Sequence, residues 1–289
     1  ARSLRSGGTK TIGLLIPDMR NPFYWEIVDA VEKEVRGAGY EMLLACTSMD
    51  PKREIETLNA LSGRRIDALI LIISFLDQAR ELLRRLAEQG YSVVTFDFVI
   101  DELDRVETGF ADATPKLMAH LFELGHRRMG FVHGVGSPDL ATNRLRIFRE
   151  FHHLHGLPLD EDLIIHCGES IEDGYRATSR LLTMRPRPTA IVTVNDLLAI
   201  GAQRAMYEHN LRIPEDVSLA GFDDVAMAAY LNPPLTTVRV SGRELGRKAA
   251  ILALTRLQQA ALPLRIEPVE AELIIRASTV PVANQTAQR

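Results

Sequence analysis

Cysteine is nearly missing from this sequence: Cys46 and Cys167 are the only two in 289 residues. They are too few and too far apart for a disulfide framework. Both stand in apolar runs, which predicts buried free thiols of a reducing compartment. Long apolar runs are missing as well. The longest, Ala68 to Ile73 followed by Phe75 and Leu76, falls far short of the ~20 residues that cross a bilayer. No basic-then-apolar leader opens the sequence, so the reading expects neither a membrane protein nor, as given, a precursor for export. Basic charge is not in excess: 34 Lys and Arg face 38 Asp and Glu, a net charge of −4. Phosphate contacts need a basic face, so the body of the chain is not expected to bind nucleic acid. The first ten residues, with Arg2, Arg5 and Lys10 and no acid, run the other way and read as a solvated tail.

Enzyme signatures are the next absence. There is no G-x-x-x-x-G-K-[ST] loop and no G-x-S-x-G elbow. Gly134-Val135-Gly136-Ser137-Pro138-Asp139 offers G-x-G, but Asp139 stands where a dinucleotide fingerprint needs its third glycine. His152, His153 and His155 cluster on one helical segment without a thiolate or carboxylate at ligand spacing, and read as a solvated face. No catalytic residue, cofactor or metal site is expected.

What is present is an alternation of short β-rich runs with longer helical patterns. A strand over Thr11 to Ile16 precedes a helix over Pro22 to Arg36, which sets Ile27, Val28, Val31 and Val35 on one face. Strand Tyr40 to Ala45, helix Pro51 to Leu61, strand Ala68 to Ile73, helix Asp77 to Gln89, strand Ser92 to Phe96 and helix Thr114 to Leu124 follow. The pattern then restarts with strands at Met129 to His133, Leu163 to His166, Ala190 to Val194 and Val217 to Ala220. The helices between them cover Asp139 to His155, Ile171 to Met184 and Leu197 to His209. A β-rich run (Leu235 to Val240), a helix (Gly242 to Gln259) and a strand (Glu270 to Ile275) come last and could cross back to extend the first array. The predicted fold class is therefore α/β: two hinged, doubly wound parallel-sheet lobes with a cleft suited to a small ligand.

In such sheets ligands bind outside the carboxyl ends of the strands. The polar groups at those junctions are Asp112, Arg144, Asn195-Asp196 and Asp223-Asp224. Each has a structural alternative. Asp112 is an N-cap or a ligand group; one of Asn195 and Asp196 caps a helix while the other faces a ligand; Asp223 and Asp224 can be turn chemistry. Phe23, Tyr24 and Trp25 cannot all face one core. Carboxylates, an amide, one arginine and an aromatic face suit a polyhydroxylated ring, whose hydroxyls donate and accept while its apolar face is covered.

The wording of several segments is specific. TIGLLIPDMRNPF (Thr11 to Phe23), ELGHRRMGFVHG (Glu123 to Gly134), NRLRIF (Asn143 to Phe148), TAIVTVNDLLAIGAQRAM (Thr189 to Met206) and IPEDVSLAGFDDVAMAAYLNPPLTTVR (Ile213 to Arg239) closely resemble the effector-binding domain of LacI/GalR-family bacterial transcription regulators. The -LGHRR- and -GFDD…PPLTTVR- wordings separate these regulators from periplasmic sugar-binding relatives of the same fold. The resemblance implies lobes over 10–125 with 240–267 and 126–239 with 268–280, a hinge remnant over 1–9 and a disordered tail over 281–289. It assigns Phe23, Tyr24, Asp112, Arg144, Asn195 and Asp223 to the effector cleft, and Leu4 to the hinge wedge that enters the DNA minor groove.

The family's helix-turn-helix domain is absent from this sequence, so operator DNA is expected as a partner of a longer chain only. The implied function is a cytoplasmic, non-enzymatic homodimer, formed through the helix at Phe23, the segment after Asp223 and the region of Ile251. Its effector, a sugar ahead of a purine or an organic acid, would control operator binding allosterically. A periplasmic sugar-binding protein of a transporter is the alternative. Four positions depart from the family: Val240 in place of a polar contact, Ala113 and Lys116 in place of asparagine and glycine, and Glu169 where some members stack an aromatic on the ligand.

Overall fold

The computed structural model describes residues 8–64, 66–134 and 138–282, with the side chains of 76–78 and 138–143 outside that description. Leu4 therefore lies outside the described residues, as does the segment 135–137 of the G-x-G run. Val282 does not belong to a loose tail. Its N–H donates to the Leu124 carbonyl at 2.9 Å, so of the segment read as disordered only 283–289 fall outside the description.

The chain divides into two compact units, 1–108 with 241–269 and 109–240 with 270–289. The first contains β1 (Thr11–Ile16), α1 (Pro22–Gly37), β2 (Glu41–Cys46), α2 (Pro51–Ser62), β3 (Ala68–Leu71), α3 (Leu76–Glu88), β4 (Ser92–Phe96) and β5 (Asp104–Glu107). The second contains α4 (Phe110–Glu123), β6 (Met129–His133), α5 (Pro138–Leu154), β7 (Ile164–His166), α6 (Ile171–Leu182), β8 (Ala190–Thr193), α7 (Asp196–Glu208), β9 (Ser218–Asp223) and β10 (Thr236–Val240). The chain then returns to the first unit as α8 (Gly242–Gln258) and β11 (Ile266–Pro268), and ends in the second as β12 (Ala271–Ile274).

Each unit holds a six-stranded sheet, ordered β11-β5-β4-β3-β1-β2 and β12-β10-β9-β8-β6-β7. All pairings are parallel except β10 with β12, which run antiparallel from Thr237↔Ile274 to Val240↔Ala271. Parallel strands need helical cover on both faces. Accordingly β3, β4, β6 and β8 are buried along their whole length. In the second unit Val132, Ile191 and Leu219 share a core with Leu181 of α6 and Ala202 and Met206 of α7. Phe131 packs on Phe148 of α5, 4.9 Å between ring centroids.

Two sequence expectations are corrected and one left open is settled. The helix ending before Gly125 begins at Phe110 and packs with α5, β10 and β12, so the first crossing falls at 108/109 and α4 belongs to the second unit. The final strand, which periodicity alone left free to extend the first sheet, pairs with β10 in the second unit, where the resemblance puts 268–280. Two strands, β5 and β11, were not anticipated. β5 reads Asp-Arg-Val-Glu, too charged for a buried strand, yet Asp104 is only 3% exposed. It accepts from Arg256 Nε (2.9 Å), Arg256 Nη2 (2.7 Å) and the Arg265 N–H (2.9 Å), which offsets its burial.

The -LGHRR- segment has a structural task. His126, fully buried, lies with Nε2 3.1 Å from the Val280 carbonyl and Nδ1 3.0 Å from the Thr189 hydroxyl, both within hydrogen-bond reach. These bonds tie the turn before β6 to the chain entering β8 and to the segment after β12. Burial pushes its pKa down to about 4. The neighbouring histidines are not one solvated face: His152 is buried, with Nδ1 2.8 Å from the Phe148 carbonyl, and His155 stacks on Phe151.

Helices α6 and α7 meet backbone to backbone through glycine. A Cβ on Gly201 would lie 1.9 Å from the Ile171 carbonyl oxygen, and one on Gly174 2.3 Å from that of Leu198. Neither backbone can yield as a side chain would. Gly201→Ala is expected to lower the unfolding free energy by about 1–3 kcal/mol in a denaturant titration. Gly37→Ala, with nothing within 4 Å of the new methyl, should leave it within about 0.5 kcal/mol.

Candidate functional site

The second unit collects polar groups at the carboxyl ends of its parallel strands. After β8, Asn195 caps α7: its Oδ1 accepts from the Leu198 N–H at 2.8 Å, and its Nδ2 donates to Glu169 Oε2 at 3.3 Å. The cap and the outward contact are thus made by one residue, at 3% exposure.

Asp196 does neither. It is fully buried, accepting at Oδ1 from the Thr237 hydroxyl (2.7 Å) and at Oδ2 from the Val225 N–H (3.0 Å). It therefore pins the chain just after β9 to the start of α7. Burial, with the charge of Asp223 next, raises its pKa well above the usual aspartate value.

The two carboxylates at the end of β9 have separate fates. Asp223 and Asp224 both have positive φ, 101° and 53°, a sharp kink in residues without glycine's freedom. Asp224 is committed to Arg239 Nε at 2.6 Å and Arg276 Nη1 at 2.7 Å. Asp223, 7% exposed, remains the candidate contact. Strain of this sort costs about 1–3 kcal/mol and persists where surroundings over-determine it; here Asp196 and the two arginines do so.

Arg144 of α5 donates from Nη1 to the Val194 carbonyl at 2.6 Å. Its guanidinium carbon lies 4.2 Å from the Phe110 ring centre and 5.0 Å from that of Phe222. Those rings meet edge to face at 5.8 Å. Among the described residues the cation is held by a carbonyl and two aromatic faces rather than by a carboxylate, which orients the planar fork without neutralising it. Phe110 and Phe222 were not singled out from the sequence, because an isolated phenylalanine in an apolar run carries no mark of a cation partner.

Asp112 is exposed in the first turn of α4. It is not the N-cap, which is Gly109 in the left-handed conformation. In the first unit, Asn21 caps α1 by accepting from the Phe23 N–H at 3.0 Å, at the carboxyl end of β1. Phe23 and Tyr24 are half-buried and meet edge to face at 5.5 Å, while Trp25 is 46% exposed.

Cys46 and Cys167 are free and half-buried rather than fully buried. Burial, then Asp173 and Glu169, pushes the Cys167 thiol up to about 12, so it is no nucleophile. Among the described residues no group of three or more His, Cys, Asp or Glu could hold a metal ion, and no helix is long and apolar enough to cross a membrane. A cavity of about 940 Å³ in the first unit opens at the amino ends of β4 and β5. Asp104 and Arg256, which line it, are already paired.

Residues 118–279 match the family model of the periplasmic binding protein-like domain. The chain is 32% identical over 280 residues to the ribose operon repressor of Haemophilus influenzae, covering 96% of this chain and 83% of that protein. It is 31% identical over 295 residues to the HTH-type transcriptional regulator DegA of Bacillus subtilis, covering 98% and 84%. A solved LacI family transcriptional regulator from Enterococcus faecium with bound ribose superposes with a TM-score of 0.82 at 28% identity, covering 94% of this chain and 99% of that one.

The chain belongs to the LacI family of transcriptional regulators. It spans the effector-binding domain, and its relatives in this family are regulators rather than enzymes.

The Asp196 bonds yield a pH test. A raised carboxyl pKa means that the folded state favours the protonated form. That stabilisation is complete below the unfolded value of about 4 and is lost as pH rises toward the folded value. An asparagine keeps an oxygen to accept from the Val225 N–H, as Asp196 Oδ2 does, and carries no charge at any pH. Asp196→Asn should therefore stay folded and lose the decline in stability above about pH 4 in denaturant titrations compared by difference. Asp196→Leu, which strips both partners, should cost about 2–3 kcal/mol or more.

Proposed function

We propose that this chain is the ligand-sensing, dimerising core of a transcriptional repressor whose effector is a small sugar. The observation that carries the reading is the set at the carboxyl ends of the second unit's strands. Arg144 is oriented by Phe110 and Phe222, Asn195 caps α7 and donates to Glu169, and Asp223 is held in a strained turn by a buried neighbour. Vicinal hydroxyls donate to carboxylates and accept from guanidinium and amide groups, so such a set suits a polyol. The family resemblance assigns Asp112, Phe23 and Tyr24 as further effector contacts. The relatives with ribose or a ribose operon in their names favour the same ligand class.

The reading extends to mechanism. Effector binding shifts the population between conformations that differ in how two chains of a homodimer present their amino-terminal segments to operator half-sites. Operator contact itself belongs to a longer chain carrying a helix-turn-helix domain, at work in the cytoplasm where the operator is. Dimerisation is supported by exposed apolar side chains in the segments assigned to it: Trp25 on α1, Met227 and Tyr230 (44% and 88% exposed) after Asp223, and Ile251 on α8. Tyr230→Asp should raise the dimer dissociation constant at least about tenfold, or 1.4 kcal/mol, in sedimentation equilibrium. An unchanged constant would remove this segment from the interface.

The effector reading is tested by thermal shift of the purified chain against ribose, glucose and other neutral sugars. A sugar at about 100 times its dissociation constant should add roughly 2.7 kcal/mol, a rise of several degrees. Asp223→Ala and Arg144→Ala should each lose that rise while the unliganded chain still unfolds cooperatively. Equal rises in both variants would remove these residues from the site.

A further inference from the structure

Glu169 lies three residues past the end of β7. Its course is unusual. In the second sheet β6 lies between β7 and β8, and the Glu169 side chain reaches back across the end of β6 toward β8. A Cβ built on Gly134, the residue that follows β6, would meet Glu169 Oε1 at 2.1 Å and its carboxyl carbon at 2.5 Å. The side chain thus lies in the space that glycine leaves open. Beyond it, Oε2 accepts from Asn195 Nδ2 at 3.3 Å. A half-buried carboxylate is in this way laid across the junctions that also carry Asn195.

The charges that meet at this face are then unequal. Among the described residues at these junctions Arg144 supplies one positive charge, whereas Glu169 and Asp223 supply two carboxylates. An anionic ligand would bring its charge toward Glu169 and Asp223 with a single guanidinium to meet it, and like-charge juxtaposition of this sort discriminates strongly. A hydroxyl or an amine would instead donate to the same oxygens.

We propose that Glu169 is a specificity-determining residue which selects an effector bearing hydroxyl or amino donors and no anionic group, so that neutral or amino sugars bind and their phosphorylated forms do not. The inference rests on the sugar-effector reading above and deepens it.

Isothermal titration of the full chain with ribose, ribose 5-phosphate, glucose, glucosamine and glucose 6-phosphate tests it, in the wild type and in Glu169→Gln. Glutamine keeps the length and an oxygen to accept from Asn195. In the wild type the better neutral parent should bind at least about tenfold tighter than its phosphate, and glucosamine no weaker than glucose. Glu169→Gln should narrow the neutral-to-phosphate ratio about tenfold while leaving the neutral sugar within about threefold. Asp223→Asn, altered in the same pocket, should weaken the neutral sugar itself and so reports on the site rather than on its selectivity. A phosphate that binds the wild type more tightly than its parent, or a ratio unchanged in Glu169→Gln while the parent sugar still binds, overturns the assignment of Glu169 and leaves the sugar reading standing. Failure of every sugar to bind the wild type overturns both.

Discussion

The buried carboxyl group of Asp196 is the constraint on which the second unit's binding face depends. It accepts from the Val225 N–H and from the Thr237 hydroxyl, and so joins the start of α7 to the turn after β9 and to β10. Those bonds, together with the Asp224 pairs to Arg239 and Arg276, hold the reversal at Asp223 and Asp224, two successive positive-φ residues. Gly221 belongs to the same arrangement: a Cβ there would lie 2.4 Å from Asp196 Oδ1. The strand that delivers Asp223 can approach the buried acid only because one of its residues has no side chain. A polar group at zero exposure is costly unless it is fully bonded, so the sequence retains an expensive residue to fix the direction of its neighbour.

The same economy of parts recurs across the face. Asn195 caps a helix with one amide atom and directs Glu169 with the other. Among the described residues Arg144 is oriented by a carbonyl and two rings rather than by a carboxylate. Asp224, by contrast, is spent on Arg239 and Arg276 and serves the kink rather than a ligand. Preorganised polar groups of this kind lower the ordering cost of binding, which is why neighbouring carboxylates in one sequence motif can differ so sharply in role.

Much of this architecture was legible in the residue pattern. Both α/β arrays and the order of their major elements follow from hydrophobic period and from glycine and proline punctuation, and β1, β4 and β6 fall where the pattern put them. The misses have physical causes. β5 is hidden because its burial depends on an ion pair to Arg256, 152 residues away in sequence, and β11 is three residues long and largely exposed. α4 was assigned to the wrong unit because a helix that follows a crossing shows the same amphipathic pattern whichever sheet it covers. At the site, the sequence presented Asn195-Asp196 and Asp223-Asp224 as equivalent pairs. Only the packing shows that one member of each pair faces inward, and that Glu169 rests on a glycine from another strand.

The most direct measurement is hydrogen exchange of the chain with and without saturating amounts of the neutral sugar that gives the largest thermal shift. Slowed exchange at the amides of 194–198 and 222–226, on the β8–α7 and β9 junctions, is the predicted result, because these backbone segments carry the groups that would hold the ligand. Protection centred instead on the cavity lined by Asp104, Leu257 and Leu262, with exchange at those junctions unchanged, would contradict the placement of the effector.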